Sequence, residues 1–251
     1  VSRQKPHVLS HAEEAILAKI GSFSNAAEDI FSMINDADIV FPNIKDENGD
    51  NVSLTKGRYA KFMESKDRSV RKAAFDALYE TYTKQKNTLA ATYYSSVKKD
   101  AFMADVRKYS SSLEAALDDD NIPLSVYENL ISSVHKYLPL MHRYVDIRKK
   151  ILGVDELHPY DLYAPLSESS DMKITYQQAK DIILKALSPM GEEYVNALKE
   201  GFNGGWIDVY ENSGKRGGAY SWGTYTCHPY VLLNHTDNLN SMFTIAHEMG
   251  H

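Results

Sequence analysis

Residues 69–107 contain neither glycine nor proline, and no other feature restricts the fold of this chain as much. Val70, Ala74, Ala77, Leu78, Leu89, Tyr93, Val97 and Met103 recur along the run, which predicts one very long helix or two nearly collinear ones. A chain that must house such a length is built from helices first. A further helix is expected over 11–37, with Ala15, Ile16, Leu17, Ala18 and Ile20 dense on its apolar side. Another should begin near Pro123, which suits a first helical turn, and continue to Gly153 with a bend at Pro139. Thr175 is expected to cap a helix reaching about residue 200. Between the first two helical regions, 41–50 carries Pro42 and Asn48-Gly49-Asp50 and reads as a hairpin or an exposed loop.

Beyond residue 200 the texture changes. Gly201, Gly204, Gly205, Gly214, Gly217, Gly218 and Gly223 crowd together with Trp206, Tyr210, Tyr220, Trp222, Tyr225 and Tyr230. Short strands over 207–211, 218–225 and 230–234 fit this best. In the middle one, Gly217, Ala219, Ser221 and Gly223 share one side and Gly218, Tyr220, Trp222 and Thr224 the other. One face is nearly bare. Such an edge could pair its backbone with an extended peptide, or its glycines could serve a tight sheet corner, and the residues alone weigh the two evenly.

The last five residues, His247-Glu248-Met249-Gly250-His251, spell H-E-x-x-H. On a helix, residues four apart lie one turn above each other, so both imidazoles can reach one tetrahedral Zn²⁺. Glu248 is then placed to take a proton from metal-activated water that attacks a peptide carbonyl. The segment reads as a helix with Thr236 or Asp237 as its N-cap and Leu239, Met242, Phe243, Ala246 and Gly250 as its apolar stripe. His247 and His251 fall on the flank of that stripe, with Glu248 farther round. Gly250 inside the stripe implies a close packing contact.

Composition closes off other classes. A net charge of −6 leaves no electrostatic footprint for nucleic acid. No apolar run approaches 18 residues, so no membrane span is expected. The single cysteine, Cys227, excludes an internal disulfide framework and suits a reducing compartment, which points to the cytoplasm. Cys227 itself reads as a bystander thiol. His228, on the loop between two of the expected strands, is a candidate for the cleft lining, His235 reads as a helix-terminus residue, and His158 as part of a packed aromatic loop.

Several stretches in order resemble the M3 family of metallopeptidases, in its oligoendopeptidase F and group B oligopeptidase branch. They are Tyr160-Asp161-Leu162-Tyr163, Gly217-Gly218-Ala219-Tyr220-Ser221, Tyr230-Val231-Leu232-Leu233-Asn234 and Phe243-Thr244-Ile245-Ala246 leading into the zinc motif. The resemblance implies a mainly α fold, with a helical lobe over 1–166 and the start of a zincin-like catalytic domain over 167–251, where a small glycine-rich sheet lies beside the H-E-x-x-H helix. It implies an enclosed zinc endopeptidase that hydrolyses internal bonds of short peptides, with one Zn²⁺ on His247 and His251 and Glu248 as catalytic residue. It adds a glutamate ligand beyond His251 and favours substrate binding at Gly218, Ala219 and Tyr220. Residues 1–251 alone are accordingly expected to be inactive. The alternative reading is a helical peptide-binding or structural module whose H-E-x-x-H no longer turns over.

Overall fold

The computed structural model describes residues 2–166, 172–212 and 214–251. In chain order, α1 (His11–Ile20) and α2 (Ala26–Ser32) lead through a π-helical turn to β1 (Asn43–Lys45) and β2 (Asn51–Ser53). Helices α3 (Lys56–Met63), α4 (Arg68–Lys84), α5 (Lys86–Val106), α6 (Ser112–Asp118), α7 (Leu124–Leu152), α8 (Tyr176–Ala186) and α9 (Glu192–Asn203) follow. The chain closes with β3 (Ile207–Asp208), β4 (Tyr220–Trp222), β5 (Tyr230–Leu232) and α10 (Leu239–Glu248). The expected mainly helical fold with small sheets is present.

The breaker-free run forms two helices that meet at Gln85, whose φ of −100° and ψ of 6° interrupt the ladder. The helix expected over 11–37 divides after Ile20. Gly21 costs helix propensity there, and the Ser22 and Ser24 hydroxyls donate back to Lys19 O and Gly21 O in competition with the main chain. The helix starting at Thr175 is capped as expected, by a box in which Thr175 and Gln178 bond reciprocally. It stops at Ala186 because Pro189 and a left-handed Gly191 (φ +98°) follow. Pro123 stands one position earlier than expected, at the N-cap of α7, and Pro139 lies inside that helix.

The residues fall into two compact units that are discontinuous in sequence, 1–39 with 80–157 and 40–79 with 158–251. This division differs from the continuous one expected above, whose boundary opens on 167–171, outside the described residues. In the first unit, Arg107 makes a two-pronged ion pair with Glu14 of α1, at 3.0 and 3.1 Å, and His7 stacks on Tyr109 with ring centres 3.6 Å apart.

The second unit holds the site. Residues 40–79 belong to it because two charged anchors tie them to the C-terminal half. Asp161 is fully buried and accepts from Arg68 and from the buried Arg71, each at 2.8 Å. Burial alone would raise the Asp161 carboxyl, but the hydrogen bonds from Arg68, Arg71 and the His158 N–H outweigh it and hold the group well below the usual carboxylate range. Glu211 accepts from Thr55 Oγ1 at 2.9 Å and from Gly57 N at 3.3 Å, so a carboxylate sits at the positive end of α3. The expected hairpin forms as β1 and β2, closed by Asp46, whose carboxylate accepts from the N–H groups of Asn48 and Asp50. The core of the unit gathers Ala179, Ile183, Leu198, Val231, Met242 and Ile245 from α8, α9, β5 and α10, with Ile174 just before α8 and Leu233 just after β5.

Candidate active site

The site begins with the three-stranded sheet, in the order β3-β5-β4, with β3 parallel and β4 antiparallel to β5. All three strands are shorter than expected. Between β4 and β5, Gly223 lies 3.2 Å, measured from an added Cβ, from the Pro229 backbone, so its lack of a side chain serves that approach. Gly218 has φ +83°, so a glycine is required there by backbone geometry. The alternation around β4 is as expected: Ala219 packs against the core, while Tyr220 and Trp222 are exposed.

From β5 the chain turns through residues 233–238 into α10. Side chains at 231, 233 and 235 point the same way, and all three are buried. His235 therefore belongs to the core, in an aromatic surround of Tyr176 and Tyr210, and its Nε2–H donates to Ile174 O at 3.2 Å. Burial, followed by Tyr210, pushes the Tyr176 hydroxyl up to about 12. His235 was read above as a terminus residue; the period-two pattern Val231, Leu233, His235 was the signal that could have placed it.

The N-cap of α10 is Asn238, whose side chain accepts from Ser241 N at 2.8 Å, and not Thr236 or Asp237. Asp237 adopts φ +54° instead, and Thr236 bonds the Ser241 hydroxyl at 2.9 Å. The buried stripe also differs. Met242, Ile245 and Glu248 are buried, whereas Leu239 and Phe243 are exposed. Gly250 is exposed, and the close contact expected there lies at Gly201, where an added Cβ would come within 2.6 Å of Met249 Cε.

His247 and His251 are brought together. Their Nε2 atoms lie 3.3 Å apart. Two nitrogens each ~2.0–2.1 Å from a tetrahedral centre would be separated by about 3.4 Å, so the separation of the pair is that of two zinc ligands. Among the described residues no group of three or more His, Cys, Asp or Glu could hold a metal. Glu248 is 8% exposed and, with His247, lines a cleft of about 720 Å³.

That cleft also takes in Gly217, Gly218 and Ala219 from the β4 side, Asn234 and His235 from the loop after β5, and Lys56 and Lys61 from α3 with Glu64 at its C-cap. The wall formed by α3 was not read from the sequence. Of the candidate substrate residues, Gly218 and Ala219 line the cleft and Tyr220 and His228 are not among its lining. His228 instead stacks on Trp206, ring centres 4.8 Å apart and the ring planes nearly parallel. Cys227 is exposed and lies 3.1 Å from the Thr224 hydroxyl, whose hydrogen bond lowers the thiol pKa.

Comparison with known proteins gives the family. The sequence profile of Peptidase family M3 matches residues 61–251, and that of Oligopeptidase F matches residues 1–41. The chain belongs to peptidase family M3. Oligopeptidase PepF of Bacillus subtilis is 52% identical to this M3 chain over 251 residues, which is all of the chain and 38% of PepF. Group B oligopeptidase PepB of Streptococcus agalactiae is 44% identical over 98% of the chain and 41% of its own length. The chain thus spans about two-fifths of the length of these curated relatives. The crystal structure of oligoendopeptidase-F from Enterococcus faecium matches with a TM-score of 0.65 at 45% identity, over 78% of this chain and 37% of that one. PZ peptidase A matches with a TM-score of 0.76 over 91% of this chain and 41% of that one, and at 19% identity it shows the fold alone. Among the described residues no helix is long and apolar enough to cross a membrane.

Proposed function

We propose that this M3 chain carries the metal-binding pair, the general base and a peptide-binding edge of a zinc-dependent oligoendopeptidase that hydrolyses internal bonds of short peptides. One observation carries the reading: imidazole nitrogens at zinc-ligand separation, a buried carboxylate beside them and the Gly217–Ala219 backbone all belong to one neighbourhood of the second unit.

His247 and His251 would hold the zinc, with a third protein ligand supplied beyond His251, and the bound ion would supply Lewis acidity toward water and the scissile carbonyl. The rest falls to the chain's own residues. The Gly217–Ala219 edge lays an extended peptide along the cleft through main-chain hydrogen bonds, which bind the backbone of many sequences and select weakly among side chains. Glu248, largely shielded from water, accepts the proton lost by the attacking water and returns it to the departing amine. Lys56 and Lys61 on α3 and Glu64 at its C-cap supply charge of both signs at the cleft wall.

The test is Glu248→Gln in the full-length protein. The amide cannot accept that proton, so turnover should fall about 10²–10⁴-fold while zinc content stays at the parental level. Turnover within tenfold of the parent would assign the base elsewhere. A parent without turnover would favour the inactive peptide-binding module.

A further inference from the structure

Asn234 stands where the ladder between β4 and β5 stops. On β5 the N–H groups of Val231 and Leu233 donate to Trp206 O and Asp208 O on the β3 side, both at 2.8 Å. The alternate residues Tyr230, Leu232 and Asn234 therefore turn their main-chain groups toward β4. Tyr230 lies opposite Trp222 and Leu232 opposite Tyr220, and the next step of the same register sets Asn234 opposite Gly218. There the ladder breaks, because Gly218 at φ +83° has left extended backbone. The Asn234 side chain takes over: its Nδ2 donates to Gly218 O at 2.8 Å and to Arg216 O at 3.0 Å, using both amide hydrogens. Because Tyr220 and Trp222 face β5, Ala219 turns its main-chain groups to the other, open edge of β4. Gly217, Gly218, Ala219 and Asn234 all line the cleft that holds His247 and Glu248.

We infer that Asn234 is a positioning residue for peptide binding: its amide carries the β4–β5 ladder past Gly218 and so holds the open edge at Ala219 in the pose that receives an extended peptide backbone. The inference rests on the peptidase reading above. Asn234 touches no reacting atom in this scheme. It acts through the strand it clamps, so its loss should weaken ground-state binding of peptide and leave the metal pair and Glu248 in place.

The experiment uses the full-length protein in the Glu248→Gln background, where a blocked octapeptide binds without being cut. Equilibrium binding is measured for Asn234→Ala and for Asn234→Asp, which keeps the size of the side chain but offers no hydrogens to the two carbonyls. Each is measured with the octapeptide and with analogues carrying one backbone ester in place of an amide. Loss of two neutral hydrogen bonds sets the expected scale, about a tenfold rise in Kd with zinc content unchanged. The ester that weakens binding to the parent should weaken binding to the variants by no more than about twofold, because the edge it pairs with is no longer held. Kd within about twofold of the parent in both variants would overturn the inference. So would a raised Kd with the ester penalty undiminished, or loss of far-UV circular dichroism in both variants, since either makes Asn234 a general folding residue. If the parent binds no peptide, or Glu248→Gln leaves turnover intact, the peptidase reading fails. If the parent binds and only the Asn234 variants match it, this inference fails alone.

Discussion

Gly201 does the packing that the sequence pattern assigned to Gly250. The closeness of His247 and His251 was legible because helical periodicity is a local property, although α10 ends at Glu248 and His251 lies past its last turn, with 3.3 Å between the two Nε2 atoms. The glycine contact was not legible in this way. It depends on α9 meeting the end of α10, and nothing among the many glycines after residue 200 marks Gly201 as the one involved. A Cβ there would stand 2.6 Å from Met249 Cε and 3.0 Å from Trp206 Cε3. The methionine tip can yield, but the indole has little room to do so. Gly201→Ala should therefore cost about 1–3 kcal/mol, read as a lowered Tm. Because Met249 lies between Glu248 and Gly250 in the metal motif, zinc affinity in a chelator competition should fall as well. Gly250→Ala should be milder, since its Cβ would meet mainly carbonyls of its own turn, at 3.1 and 3.4 Å. Equal or reversed effects of the two alanines would show that the packing contact has been placed wrongly.

Elements were legible where a single periodicity ran between clear breakers. Helices α4, α5, α7 and α10 were anticipated for that reason, with end residues off by a few positions. The misread helices failed in a common way: apolar spacing continued across Gly21 and across Pro189-Met190-Gly191, so the breakers were read through. Helix α3 could not be placed at all, because what makes it a cleft wall is Glu211, 156 residues away from Thr55. The same long-range logic governs Asp161, which joins α4 to the segment after α7 through Arg68 and Arg71. Its folded pKa is depressed relative to about 3.9 for an unperturbed aspartate. The stability it contributes is thus fully present above about pH 4 to 5 and is lost as pH falls from there toward the folded value. Asp161→Asn would leave the buried Arg71 without its counter-charge and should cost about 3–5 kcal/mol at neutral pH. Urea titrations at pH 7 and about pH 3 check both parts: the variant should be weaker at pH 7, and the gap to the parent should narrow at the lower pH. A gap that widens in acid would contradict the depressed pKa.

Across the whole chain, the charge, the single cysteine and the helical texture narrowed the class, but the functional assignment came from one helix and the sheet beside it. Two facts about residues 1–251 bear on what they can do by themselves. The first is ligand count: the described residues offer His247 and His251 as a metal pair and no group of three, whereas a catalytic zinc takes three protein ligands and an open position. The second is exposure. Helix α7 buries only Arg148 along its 29 residues, and Leu130, Leu140 and Met141 are each more than half exposed, apolar side chains of the kind a hydrophobic dye or a covering segment takes up. Produced alone, residues 1–251 should bind zinc weakly, bind a hydrophobic dye such as ANS strongly and show no peptidase turnover. The chain extended to the length of its M3 relatives should gain zinc stoichiometry near one per chain, lose most of the dye binding and cleave short peptides. The control is the same pair of proteins with Glu248→Gln, which removes any signal not due to a contaminating peptidase. Turnover by residues 1–251 that disappears with Glu248→Gln would show that these residues already hold a complete site, and the requirement for a further ligand would then be wrong.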